Sequence, residues 1–385
     1  MISDDSFFIV NSGGKNYFTK AGAFEVDASG TLCTSDGATV MGWQPDPTDP
    51  TRIVANQVAA LRIMSPENMY TEPEATTNTH YSGNIDPKDP QLVEGKPSQM
   101  QFYDSLGNLC TAKLSFKEEA DGQYSVRLVD ILDPDDKSIF VQRNGDGTYT
   151  NRMDMKVTFG DVEYSLAAGN FYEDTGKVKA LTPTGTGNNF INFVPGKGTF
   201  KGAGAADTGT AKSMKFNIDA GVKLEGLYKE IDVDFSEMTM YSTSGKSNFA
   251  PDRGGVNSVE GAGKMTGKMY GVSVDTSGKI YGVYDNGDQK LVGQIAVASF
   301  ANPSGLEAVG NNRFAETQNS GNFDGIGQDI SATGGKLSSG VLEMSNVDLS
   351  QQFTDMIVTQ RGFQANSRII TTSDTMLEEL INLKR

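Results

Sequence analysis

The end of the chain constrains the fold most tightly. From Asp348 to Leu383 there is no proline and one glycine, Gly362. Leu349, Met356, Phe363, Ile370 and Leu377 recur every seven residues, with Phe353 and Ile381 beside the row. Gln360, Ser367 and Asp374 fill the equivalent middle positions, so the apolar stripe is narrow and interrupted. A sustained seven-residue recurrence without breakers is a helical pattern. Asp348 with Gln351 three residues on resembles a capping box. Lys384 and Arg385 place positive charge where a helix C-terminus favours it. The spacing predicts one helix of about 36 residues, about 54 Å long. A single small β domain is narrower than that and cannot easily bury the whole stripe. A terminal helix docked on its own domain is one reading; a helix packing on copies in an assembly is the other, and length favours it.

The preceding residues look different. Phe7–Val10, the turn Asn11-Ser12-Gly13-Gly14, Tyr17–Phe24, the turn Ser35-Asp36-Gly37 and Thr39–Trp43 form a run of hairpin signals. Turns every 8–12 residues between short β-rich runs mark an antiparallel β domain. Residues 65–98, with Pro66, Pro73, Pro87, Pro90 and Pro97, read as a linker or domain crossing. Strands resume at Gln99–Tyr103, and Tyr124–Leu128 alternates as a half-buried strand does. The Gly/Thr/Ala-rich stretch 182–212 reads as an exposed loop, and a second crossing falls near Ser242–Val259. Lys268–Val274 then pairs with Lys279–Tyr284 across Asp275-Thr276-Ser277-Gly278, and 301–340 reads as loop. Glycine is 44 of 385 residues, about 11% against a usual 7%, as many turns require.

Composition removes most chemistry. Lys and Arg number 33 against 49 Asp and Glu, a formal charge of −16, which disfavours nucleic acid and anionic membrane surfaces. No apolar run approaches the roughly 18 residues of a membrane helix. The single histidine, His80, lies in a polar turn-like stretch and reads as a solvated loop residue. Zinc sites and His-dependent nucleophilic catalysis are nearly excluded. Cys33 and Cys110 lack CxxC spacing, so one bridge between them is possible but no disulfide scaffold is. There is no P-loop. Asp133-Pro134-Asp135-Asp136 and Asn144–Gly147 lack calcium-loop spacing and read as acidic turns. The reading assigns no catalytic, cofactor or metal residues. Thirty-three Tyr and Phe could serve sugar platforms, but in β-rich chains they more often fill cores.

The C-terminal segment carries a resemblance. Ser345-Asn346-Val347-Asp348-Leu349, Phe353-Thr354-Asp355-Met356-Ile357 and Thr359 through Thr372 (TQRGFQANSRIITT) resemble the C-terminal motif of the bacterial flagellar hook protein family, as does Met376 through Arg385. Val292–Ala298, Phe300–Leu306 and Glu316–Gly321 are similar to the segments before that helix, and Phe7–Val10 with Tyr17–Phe24 and Gly42-Trp43 to the family's first β segment. Tyr103–Gly107 and Val233–Ser236 fit too, and the match is weakest over 130–230.

The resemblance implies a mainly β fold: two β-rich domains, the outer inserted into the inner, plus a long C-terminal α-helix. The expected divisions are 1–80 and 246–344 for the inner domain, 81–245 for the outer, and 345–385 for the assembly helix. The expected contact residues on that helix are Leu349, Phe353, Met356, Gln360, Phe363, Asn366, Ile370, Leu377 and Ile381. The implied function is structural: a hook subunit, exported to the extracellular flagellum, polymerising into a flexible tube that carries motor torque to the filament. The implied partners are copies of itself, distal rod and hook–filament junction proteins, and the hook cap during assembly. Family members begin with a helical segment that pairs with the C-terminal helix, so the expectation here is a truncated form. A distal rod or hook-associated subunit is the neighbouring reading, against which residues 98–240 argue. A secreted β-rich carbohydrate-binding protein or glycosidase is the reading from another class.

Overall fold

The computed structural model describes residues 2–3, 5–152, 154–184, 189–205, 210–221, 226–341 and 348–383. The fold is mainly β, with two α-helices among the described residues, Gln91–Glu94 and Leu349–Asn382. The inner body is a twelve-stranded sheet built from both ends of the β sequence. Its central strand, Phe7–Ser12, pairs with Lys15–Thr19, Thr39–Trp43 and Val297–Ala298, all antiparallel. Met269–Val274, Lys279–Tyr284 and Gln289–Ile295 extend it on the Thr39–Trp43 side. Phe7, Phe8, Ile9 and Val10 are all buried, because both faces of this strand are covered. Phe8 and Val10 face one cluster with Val40, Ile280 and Ile295, and Phe7 and Ile9 face another with Phe18 and Trp43.

The outer body is a sandwich. A five-stranded sheet runs Phe200–Ala205, Asn189–Phe193, Gln123–Leu132, Leu109–Ala120 and Lys96–Tyr103. Facing it, a seven-stranded sheet includes Lys156–Phe159, Ser213–Asp219, Ile231–Met240, Asn78–Ile85 and Ala250–Arg253. Leu109–Ala120 and Ile231–Met240 alternate buried and less buried side chains, as a one-faced strand must. Tyr81 stacks on Phe235 at 5.2 Å, and Phe116 lies 5.4 Å from Tyr81, tying the two sheets through one core.

The insertion has a simple topology. Asn78–Ile85 carries the chain in and Ile231–Met240 brings it back alongside, as a parallel pair. Ala250–Arg253 then runs antiparallel on the other side of Asn78–Ile85 and leads out. Between the bodies the two crossings form a ribbon. Glu74 and Lys264 exchange both backbone hydrogen bonds at 2.9 and 2.7 Å, and the Thr71 and Thr77 amides donate to Gly267 and Gly261. The ribbon is pinned to the inner sheet by the Lys264–Asp288 ion pair at 2.6 Å and by Asn286 Nδ2 donating to Thr71 Oγ1.

Several sequence expectations are corrected. Residues 182–212 are not simply a loop: Asn189–Phe193 is an interior strand with Ile191 and Phe193 buried, and Phe200–Ala205 pairs with it. The parts at 185–188 and 206–209 lie outside the described residues. The crossing 65–98 contains the buried strand Asn78–Ile85. His80 is therefore half-buried in a strand, its Nδ1 3.1 Å from the Gly254 carbonyl, not a solvated loop residue. Residues 301–340 carry two short strands, Glu307–Gly310 and Arg313–Ala315. Cys33 and Cys110 are both free. Burial pushes the Cys110 thiol up to about 12, so it stays protonated at neutral pH.

Candidate functional site: an unsheltered helix

The C-terminal helix spans Leu349–Asn382, 34 residues and about 51 Å. Asp348 caps it from an extended backbone, its carboxylate accepting from the Ser350 and Gln351 amides at 2.8 and 3.3 Å. Only half of the capping box forms: the Gln351 side chain donates forward to Asp355 instead. Thr354, Thr359, Thr372 and Thr375 return their hydroxyls to backbone carbonyls four residues earlier, so these polar groups are satisfied within the helix. Ser345–Val347, Lys384 and Arg385 lie outside the described residues.

No residue of this helix is buried. Leu349, Met356, Phe363, Ile370 and Leu377 are 69, 57, 74, 70 and 59% exposed. Phe353 and Ile381 are exposed beside them, as are Gln360 and Asn366. All nine residues singled out in the sequence thus lie on one continuous helix and are exposed. Sequence reasoning missed the breadth of the exposed apolar surface, since Ile357, Val358, Ile369, Met376 and Leu380 are also open. Those residues fall outside a strict seven-residue row, and only their exposure among the described residues reveals them.

Energetics make this state unusual. Full burial of the five row side chains would be worth on the order of 10 kcal/mol. Association costs are of comparable size, so a single weak contact would not hold the helix, whereas several neighbours would. An isolated helix in water is marginal without such packing.

The acidic turns are built on their own side-chain hydrogen bonds. Asp133 Oδ1 accepts from the Asp135 and Lys137 amides, and Asp146 Oδ1 from the Thr148 amide and hydroxyl. Among the described residues, no group of three or more His, Cys, Asp or Glu is placed to hold a metal ion. Among the described residues, no helix is long and apolar enough to cross a membrane.

A β body carrying a long helix whose apolar row finds no cover among the described residues fits one class of protein, the subunit of a larger assembly. Comparison with known proteins specifies which. Residues 1–74 match the model of the flagellar hook protein FlgE/F/G D1 domain, 68–254 the flagellar basal body protein FlaE D2 domain, and 338–383 the flagellar basal body rod FlgEFG protein C-terminal region. The flagellar hook protein FlgE of Treponema pallidum is 31% identical over all of this chain and 80% of its own length. FlgE of Borreliella burgdorferi is 30% identical over all of this chain and 78% of its own length. The basal-body rod protein FlgG of Bacillus subtilis is 35% identical, over 60% of this chain. The chain belongs to the bacterial flagellar hook protein family. Its function is that of a structural subunit of the hook, self-assembling in the axial structure of the flagellum.

Proposed function

We propose that this chain polymerises through its C-terminal helix into the tube of the hook, a flexible joint that passes motor torque to the filament. The observation that carries this reading is the 34-residue helix with no buried residue and an apolar row along its length. In the assembly, Leu349, Phe353, Met356, Phe363, Ile370, Leu377 and Ile381 pack on neighbouring copies, and Gln360 and Asn366 supply polar contacts between them. Heterologous contacts of this kind build an open helical tube. The mechanism is mechanical and needs no catalysis: the helices form the inner wall while the outer β domains slide as the tube bends.

The division into an inner domain at 1–80 and 246–344, an outer domain at 81–245 and an assembly segment at 345–385 is part of this reading. The separate sheets and cores of the two bodies support an inserted outer domain, but Asn78–Ile85 and Ala250–Arg253 both belong to the outer sheet, so its bounds are corrected to 78 and 253. Export by the flagellar secretion apparatus belongs to the same reading, with distal rod, hook–filament junction and hook cap proteins as partners.

The test is Phe363→Asp in the cell's own copy of the gene, with hooks viewed by electron microscopy. Phe363 is 74% exposed in the single chain, so the change leaves the subunit folded. It places a charge in the packed row, where burial is costly. Loss of hooks with normal subunit levels is expected; normal hooks would overturn the packing role of the helix.

A further inference from the structure

The edge strands of the two outer sheets, Lys96–Tyr103 and Ala250–Arg253, flank a small notch of about 210 Å3. It is lined by Thr79, Gln99, Gln101, Pro251, Asp252 and Arg253. Two of these residues carry polar atoms buried without a partner. Thr79 is 2% exposed and its Oγ1 has no hydrogen bond; Arg253 Nη1 is enclosed and has no acceptor. The two residues stand opposite each other in the antiparallel register of Asn78–Ile85 and Ala250–Arg253. The guanidinium lies 4.4 Å from the centre of the Tyr103 ring, which holds the fork in place. Asp252 does not neutralise it: its Oδ1 accepts from the Arg253 backbone amide at 2.9 Å.

A buried guanidinium N–H without an acceptor is costly, and so is a buried hydroxyl without a partner. Both costs fall in one notch and both are removed by one kind of group. The geometry points to a binding site for a single carboxylate, which accepts from Arg253 and Thr79 together while the Gln99 and Gln101 amides close over it. A carboxylate is planar, acceptor-only and matched to the guanidinium fork. A phosphate dianion suits the notch less well, because the Asp252 carboxylate lines the same space. The volume admits one acidic side chain or one small acid. With 49 Asp and Glu in each chain, a second copy is a ready source. That source rests on the self-assembly reading; the site itself does not.

The test uses the whole chain, uniformly labelled with nitrogen-15, and follows the Gln99 and Gln101 side-chain amide signals by NMR. Sodium acetate is titrated against sodium chloride at matched ionic strength, in the parent, Arg253→Lys and Thr79→Val chains. A saturable shift with acetate alone is expected, weakened about tenfold by Arg253→Lys, which loses the fork but keeps the charge. Thr79→Val should weaken it several-fold while melting no lower than the parent, since it removes an unpartnered hydroxyl. A shift that does not saturate, that chloride reproduces, or that both variants retain would overturn the site. Sedimentation velocity at high protein concentration identifies the source. If saturating acetate lowers self-association, the carboxylate belongs to a second copy; if self-association is unchanged, the site takes a free acid.

Discussion

Asp86 and Thr243 meet just beyond the common end of the parallel pair, where Asn78–Ile85 and Ile231–Met240 both finish. The buried Asp86 carboxylate accepts from the Thr243 amide, 157 positions further on, and from the Gly245 amide at 2.7 Å. Burial would raise this carboxyl, but the amides of Lys88, Thr243 and Gly245 outweigh it and hold it below its ordinary value. The carboxylate thus ties together the ends of these two strands that lie away from the connecting ribbon.

Asp86→Asn turns one acceptor oxygen into a donor facing amides that need acceptors. The outer body should melt at a temperature lower by several degrees, about 5 °C, in calorimetry. Trp43, the only tryptophan, donates its indole N–H to the Asn56 and Ile326 carbonyls in the inner body. Its fluorescence should not change in the lowered transition. A simultaneous loss of fluorescence would mean that the two bodies unfold as one unit.

Asp89 predicts a pH dependence. Burial raises its carboxyl, yet the Ser247 amide and the Lys96 ammonium at 3.0 Å bring it down to about 2. Its folded value lies below its unfolded one, so its contribution is present above pH 4 and is lost as pH falls from about 4 toward 2. Melting temperature should drop across that window, and Asp89→Asn should flatten part of the drop. An identical pH profile in the variant would remove Asp89 from the account.

Gly107 tests the joint between the bodies. Its φ is +82°, and an added Cβ would come within 2.8 Å of Pro73 Cβ and 3.0 Å of the Thr266 nitrogen in the connecting ribbon. Gly107→Ala should therefore push the outer turn off the ribbon and broaden the interdomain angle seen by small-angle scattering. Gly37→Ala is the control: φ is +81° with nothing within 4 Å, so it carries the backbone penalty alone, about 1 kcal/mol. Equal scattering changes in both would show that the contact with Pro73 does not set the angle.

Limited trypsin digestion reads the helix directly. Arg361 and Arg368 lie on it, exposed, with no β element over them. Both should be cut rapidly in the single chain, leaving a stable β fragment by intact mass, because an unpacked helix frays. Protection of both sites in a demonstrated monomer would mean that the helix finds cover within its own chain.

How much of this was legible in the sequence depended on how local the signal was. The turn at Asp275–Gly278 is fixed by the Asp275 carboxylate accepting from the Ser277 and Lys279 amides, a device visible in five residues. The long helix was legible from its lack of breakers and its seven-residue row. Asn78–Ile85 was not, because its neighbours Ile231–Met240 are remote in sequence and proline flanks it on both sides. Asn189–Phe193 was hidden for a related reason: glycine and threonine around it read as loop, and only pairing with Gln123–Leu132 makes it a core strand. The Arg253–Thr79 notch had no sequence signal at all, since it arises from strand register across 174 residues of insertion between the two crossings.

The antiparallel return of Ala250–Arg253 along Asn78–Ile85 has a consequence for how such a subunit can vary. Arg253 lies opposite Thr79, so the chain re-emerges beside the point where it went in, and what happens between the two strands places no demand on the register of the inner sheet. Segments can be added to or removed from the far side of the outer body while the frame that holds it is untouched. In a tube made of these subunits, outer girth and inner wall are written in separable stretches of gene and can be tuned one without the other.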